Sequence, residues 1–212
     1  MNDLFVTGTD TGVGKTVLSA LLTRALDAVY WKPIQTGAAE EEGIDRHAVL
    51  EMTGLDPDRT RPERYIFDPP VSPHLAARWA HSPIDMTSIR RPGDTGGRRL
   101  VIEGAGGVLV PVSDDHLMID LIAQLGAPVV VAARTSLGTI NHTLMTLGAL
   151  DAAAIPVRGV VIIGPENGAN REAIERYGNA PLVGWIPMLE RIDPPALDAV
   201  FRNHFDRSAF DD

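Results

Sequence analysis

The stretch Leu4-Phe-Val-Thr-Gly-Thr-Asp-Thr-Gly-Val-Gly-Lys-Thr16 decides the fold. It leaves an apolar, β-branched run, Asp3 to Thr7, and enters a glycine-rich loop from Gly8 to Thr16. Beyond it, Lys15 to Asp27 carries apolar residues at 17, 18, 21, 22, 25 and 26, the stripe of an amphipathic helix. In a strand–glycine loop–helix unit, backbone N–H groups at a helix N-terminus wrap phosphates. Gly12 and Gly14 permit positive φ and close backbone approach. Lys15 is placed to pair with β- and γ-phosphates, and the Thr16 hydroxyl to ligate Mg²⁺. Five residues separate Gly8 from Gly14, one more than the strict pattern allows. Gly-Val-Gly-Lys-Thr at the junction is nonetheless intact. The plain alternative is a glycine turn before a surface helix with an incidental lysine, and the matched context weighs against it.

Outward from this unit the same alternation repeats. Continuous apolar runs occur at Arg99–Glu103, Ala127–Ala133, Val157–Ile163 and Pro181–Ile186, with a weaker one at Ala28–Lys32. Strands buried on both faces require such runs. Helices are expected at His116–Leu125, Thr139–Ala153, Asn167–Tyr177 and Pro194–Phe205. The order predicts an α/β fold: a doubly wound, mainly parallel sheet of six or seven strands with helices on both faces. It is read as one domain over residues 1–206, with 207–212 frayed. Residues 37–98 form an irregular insertion rich in Pro, Asp and Arg, with short helices at Asp45–Thr53 and Pro73–Ala80. Long insertions in such domains are more often functional than idle.

Composition narrows the function. The 212 residues carry a net charge of −9, which argues against a main role in coating nucleic acid or anionic membrane. There is no cysteine, so thiol nucleophiles, disulfides and Cys-ligated metals are out. The start lacks a basic n-region, and no apolar run is long enough to span a bilayer. A cytoplasmic location is expected.

Ligands of open parallel sheets sit beyond the carboxyl ends of strands. Lys32 and Thr36 follow the second strand in Lys32-Pro-Ile-Gln-Thr-Gly37. Glu103 ends a strand and leads into Gly104-Ala-Gly-Gly107, where a Mg²⁺-binding carboxylate belongs. Ala133-Arg-Thr-Ser-Leu-Gly-Thr-Ile-Asn-His142 runs from a strand end into a helix.

Six segments occur in order: the phosphate loop, Lys32–Gly37, Ser72-Pro-His-Leu75, Glu103–Gly107, Leu137-Gly-Thr-Ile-Asn-His142 and Gly184-Trp-Ile-Pro187. Together, over about residues 2–190, they resemble the dethiobiotin synthetases, ATP-dependent cyclo-ligases of biotin synthesis with a P-loop fold. The resemblance implies the following chemistry. One amine of 7,8-diaminononanoate captures CO₂ as a carbamate. The carbamate attacks the γ-phosphate of ATP, and the second amine closes the ureido ring and expels phosphate.

It also implies site residues. Lys15, Lys32 and Thr36 serve the chemistry. Thr11, Gly12, Val13, Gly14, Lys15, Thr16, Val17, Asp45, Glu103, Gly104, Ala105, Gly106, Gly164, Pro187 and Met188 bind nucleotide. Ser72, Pro73, Gly138, Thr139, Ile140, Asn141 and Thr36 contact substrate, whose carboxylate tail lies at a homodimer interface. Thr16, Asp45 and Glu103 hold Mg²⁺, with Glu40, Glu41 and Glu42 as competitors for the place of Asp45. His74 and His142 are read as capping or packing groups, and His47 and His116 have no evident partner.

One departure concerns the base. Family members often carry an Asn where this chain has Ile163, and an Ile cannot hydrogen-bond a base edge. Backbone groups of Gly164 and the Ile186-Pro-Met188 loop are then expected to meet the base loosely, so that CTP or other triphosphates substitute for ATP. Two other readings remain: a partitioning or scaffold switch ATPase, and a small-molecule kinase.

Overall fold

The continuous apolar runs are strands with both faces covered. The computed structural model describes residues 3–41 and 43–211. The elements run β1 (Leu4–Gly8), α1 (Lys15–Ala25), β2 (Val29–Trp31), β3 (Ile34–Gln35), α2 (Asp45–Thr53), β4 (Thr60–Arg61), β5 (Tyr65–Ile66), α3 (Pro73–Trp79), β6 (Leu100–Gly107), α4 (Met118–Leu125), β7 (Val129–Arg134), α5 (Thr139–Ala152), β8 (Val157–Ile163), α6 (Gly168–Gly178), β9 (Leu182–Ile186) and α7 (Pro194–His204). The main sheet has seven strands in the order β4-β2-β6-β1-β7-β8-β9, and every pairing is parallel. On one face Val6, Val130 and Val161 meet α1, α2 and α7 through Leu18, Val49 and Leu197. On the other, Phe5, Val131 and Val160 meet α3 to α6 through Ala76, Leu121, Leu147 and Ile174.

The insertion is more ordered than its composition suggests. Its β4 supplies the seventh strand of the sheet, pairing Thr60 with Tyr30, and its β5 pairs with β3 as a second small sheet. Two-residue strands are too short to leave a periodic signal.

The frayed C-terminus is a correction. Arg207–Phe210 form a 3₁₀ turn, and Phe210 is 2% exposed against Phe201 and Phe205. Its carbonyl accepts from Arg99. One aromatic anchor outweighs the polar residues around it, since burying a Phe contributes about 1.5–3 kcal/mol.

The chain order β1, then β2 and β6 to one side, then β7 to β9 on the other, opens a crevice at the carboxyl end of β1. That is where such sheets bind ligands.

Candidate active site

The phosphate loop takes its shape from Gly14, the N-cap of α1, at φ 92 with no side-chain cap. A Cβ there would stand 3.0 Å from Ile163 Cδ1, so Ile163 packs on the loop backbone. The first N–H groups of α1 are left for an anion. Val13 and Lys15 are buried, Gly14, Thr16 and Val17 half-buried, and Thr11 and Gly12 exposed. Lys15 Nζ donates to the Asp10 carbonyl at 3.0 Å. The Asp10 carboxylate accepts from the Thr11 N–H at 2.8 Å. Burial pulls the Lys15 ammonium below its ordinary value, and the nearby Glu103 works against that.

Glu103 is the centre of the site and is 1% exposed. Its Oε1 accepts from Thr16 Oγ1 at 3.0 Å and from Lys32 Nζ at 3.2 Å, and its Oε2 accepts from the Tyr30 hydroxyl at 3.1 Å. Lys32 also pairs with Asp45, at the first turn of α2. Burial alone would lower Lys32, yet Glu103 and Asp45 outweigh it and hold the ammonium above its ordinary value. Burial and the Glu103 charge push the Tyr30 phenol well up, so it stays a neutral donor. Gln35 is buried and joins two pieces: its Oε1 accepts from the Asp45 N–H at 3.2 Å and its Nε2 donates to the Thr36 carbonyl at 2.8 Å.

Thr16, Lys32, Asp45 and Glu103 thus stand within one network, Lys15 joins it through the charges of Glu103, Lys32 and Asp45, and half-buried Thr36 is tied in through Gln35. Glu40 and Glu41 are exposed, and Glu42 lies outside the described residues. Asp45 contacts Lys32, and no contact joins Glu40 or Glu41 to the cluster among the described residues. After β6, Gly104 and Ala105 are buried and Gly106 is half-buried at φ 71. A Cβ on Gly104 would meet the Phe5 ring at 2.8 Å.

Two carboxylates and a hydroxyl are hard oxygen donors. Mg²⁺ commonly takes one or two carboxylates and completes its octahedron with waters and phosphates. Thr16, Asp45 and Glu103 therefore fit it.

Other predicted residues lie apart from this cluster. Ser72 and buried Pro73 begin α3, where Ser72 Oγ meets His74 Nδ1 at 3.0 Å. Gly138 caps α5 at φ 93, followed by buried Thr139, half-buried Ile140 and exposed Asn141. His74 holds the Ser72 hydroxyl side chain to side chain and does not cap the helix, His142 Nδ1 lies 3.4 Å from Arg134, and His116 does have a partner, Ser113 Oγ at 3.0 Å.

The structure narrows which backbone groups of Gly164 are free. Its N–H donates to the Ile186 carbonyl at 2.9 Å, and its carbonyl accepts from Trp185 Nε1 at 2.9 Å. The N–H is therefore committed inside the protein, and only the second lone pair of the carbonyl remains for a base. Pro187 is half-buried and Met188 exposed after β9.

Tyr30, Gln35, Asp10 and Arg134 were not singled out from sequence. Tyr30 had a usable signal: in a strand, residues two apart share a face, and Tyr30 stands two before Lys32.

A family model described as an AAA domain matches residues 2–196. The chain is 50% identical over 195 residues to the biotin biosynthesis bifunctional protein BioCD of Bordetella avium, covering 92% of this chain and 41% of that protein. It is 46% identical over 207 residues to the ATP-dependent dethiobiotin synthetase BioD of Rhodopseudomonas palustris (strain TIE-1), covering 98% and 96%. It is 48% identical to that of Bradyrhizobium sp., covering 98% and 97%. Among solved structures, the MinC:MinD cell division complex of Aquifex aeolicus superposes with TM-score 0.54 at 14% identity over 94% of this chain and 89% of that one, a likeness of fold.

Proposed function

The chain belongs to the AAA-domain family and, within it, to the ATP-dependent dethiobiotin synthetases, and from that premise we propose that it closes the ureido ring of dethiobiotin from 7,8-diaminononanoate and CO₂. One observation carries the reading: a second buried lysine, Lys32, lies one carboxylate away from the phosphate loop, sharing Glu103 with Thr16. A simple nucleotide switch has no need of that second cation. A ligase has, because carbamate and γ-phosphate are both anions and must be brought together by fixed positive charge.

In this reading the α1 N-terminus and Lys15 hold the β- and γ-phosphates. Lys15 leaves the Asp10 carbonyl as phosphate oxygens take its place. Lys32 orients the carbamate toward the γ-phosphorus, and the Thr36 hydroxyl holds the substrate nitrogen. The carbamate oxygen forms a bond to phosphorus as the bond to the ADP oxygen breaks. The second amine then attacks the carbonyl carbon, loses a proton to solvent, and phosphate departs with the former carbamate oxygen. Thr16, Asp45 and Glu103 would hold Mg²⁺, which neutralises phosphate charge when bound.

The substrate chain would run toward Ser72–Pro73 and, in a homodimer, toward the Gly138–Asn141 segment. Support for an interface there comes from Leu137 at 98% and Met145 at 63% exposure, which flank that segment. We also assign the base to the Gly164 carbonyl and the Ile186–Met188 loop, and the enzyme to the cytoplasm.

The deciding experiment follows phosphate release with and without the diamine, with bicarbonate present, and weighs the product. Diamine-dependent release with a net gain of one carbonyl is expected. A product gaining phosphate would make the chain a kinase, and release indifferent to the diamine would make it a switch ATPase.

A further inference from the structure

Arg134 ends β7, the neighbour of β1 opposite β6. Ala132 is level with Gly8, which puts Arg134 two residues higher, on the rim where the phosphate loop begins. Its guanidinium is poorly engaged there. Nη1 lies 3.4 Å from Asp10 Oδ2 and Nη2 3.4 Å from His142 Nδ1. Charge-assisted bonds are usually about 2.7–2.9 Å, and Arg24 makes such a pair with Asp198 at 2.7 Å through both nitrogens. The third nitrogen, Nε, is buried and has no acceptor among the described residues. Along α5, one turn before His142, Thr139 is 1% exposed and its hydroxyl also has no partner among the described residues. Buried donors left unmade are costly, and an arriving oxyanion would satisfy them. The planar fork of an arginine suits a carboxylate or phosphate face.

We propose that Arg134 is a ligand-binding residue that takes an oxyanion, carboxylate or phosphate, on the outer rim of the phosphate loop. For the identity of its ligands this rests on the ligase reading. Asp10 holds the place in the free protein through its weak pairing with Nη1, and the incoming anion replaces that contact. The ligase reading offers two oxyanions for this rim: the carboxylate of the diamine substrate and the terminal phosphate of the nucleotide.

The test is equilibrium binding of 7,8-diaminononanoate, its methyl ester, ATP and ADP to wild type, R134Q and R134K, with thermal denaturation alongside. R134Q is expected to weaken one oxyanion by about tenfold or more, the scale of one charge-assisted contact, with R134K recovering part of it. If the acid weakens while the ester and ATP do not, the carboxylate is the source. If ATP weakens against ADP, it is the phosphate. Binding of all four ligands within twofold of wild type overturns the proposal, as does a uniform loss with a lowered Tm, which marks a structural arginine. Should wild type ignore the diamine, the ligase reading falls, while the ATP-against-ADP comparison still decides the role of Arg134.

Discussion

Tyr30→Phe deletes one oxygen atom and keeps the ring in a fully buried position. That oxygen is the donor to Glu103 Oε2, whereas Thr16 and Lys32 both serve Oε1. The substitution leaves one oxygen of a carboxylate that is 1% exposed without its donor. Leaving a buried acceptor unmade costs about 1–3 kcal/mol, and a charged one falls in the upper part of that range. Taking about 2–3 kcal/mol, and about 2–4 °C per kcal/mol for a chain of this size, Tm should fall by about 4–12 °C. Glu103 also loses the contact that fixes its rotation. Removing such outer partners of a metal-binding carboxylate typically weakens metal affinity by about 10–100-fold. Because the phenol stays neutral through the working range, the defect should not depend on pH there. Thermal denaturation and a Mg²⁺ titration of phosphate release measure both effects. A Tm within about 1 °C of wild type, together with a superimposable Mg²⁺ curve, would refute the role given to Tyr30.

Lys32→Ala should lower turnover far more than nucleotide affinity, and a variant whose defect is confined to nucleotide Kd would show that Lys32 is misplaced. Assays with ATP, GTP, CTP and UTP under matched conditions should show modest base preference, because Ile163 packs on Gly14 and the Gly164 N–H is committed; strong ATP selectivity would sink this. The hydrogen bond from Arg24 holds the Asp198 carboxyl below its ordinary value. A depressed carboxyl stabilises the fold above its unfolded pKa of about 3.9, and that support is lost as pH falls through the folded value. Asp198 is 44% exposed, so the pair should contribute at most about 1 kcal/mol. R24Q should melt slightly below wild type at pH 7, with a gap that narrows as pH falls below the unfolded value and does not fully close, because Arg24 also donates to the Thr53 carbonyl; a gap that widens in acid would reverse the sign.

Strand and helix order was legible because parallel strands covered on both faces must be apolar throughout, and helices between them must carry a stripe. Lys15, Thr16, Lys32 and Glu103 were legible for a related reason: a strand running into a polar or glycine-rich end delivers its last side chains to the crevice. Partnerships across the chain were not. Arg134 and Asp10 are 124 positions apart, and nothing local marks them as neighbours. Gln35 looked like an ordinary loop residue, and only the fold brings the Thr36 carbonyl and the Asp45 N–H to opposite ends of its amide. At Gly164 the Ile186 carbonyl takes the N–H and the Trp185 indole takes one carbonyl lone pair, two partnerships that no local sequence signal marks.

Lys15 and Lys32 face Asp45 and Glu103, two cations against two anions. The cluster is therefore electrically self-balanced from its own side chains. A protein built this way does not wait for its cargo to fold, unlike small metal domains whose ligand charges keep the chain open until the ion arrives. Nucleotide binding then adds to the stability of a fold that is already closed, by mass action, and is not needed to close it.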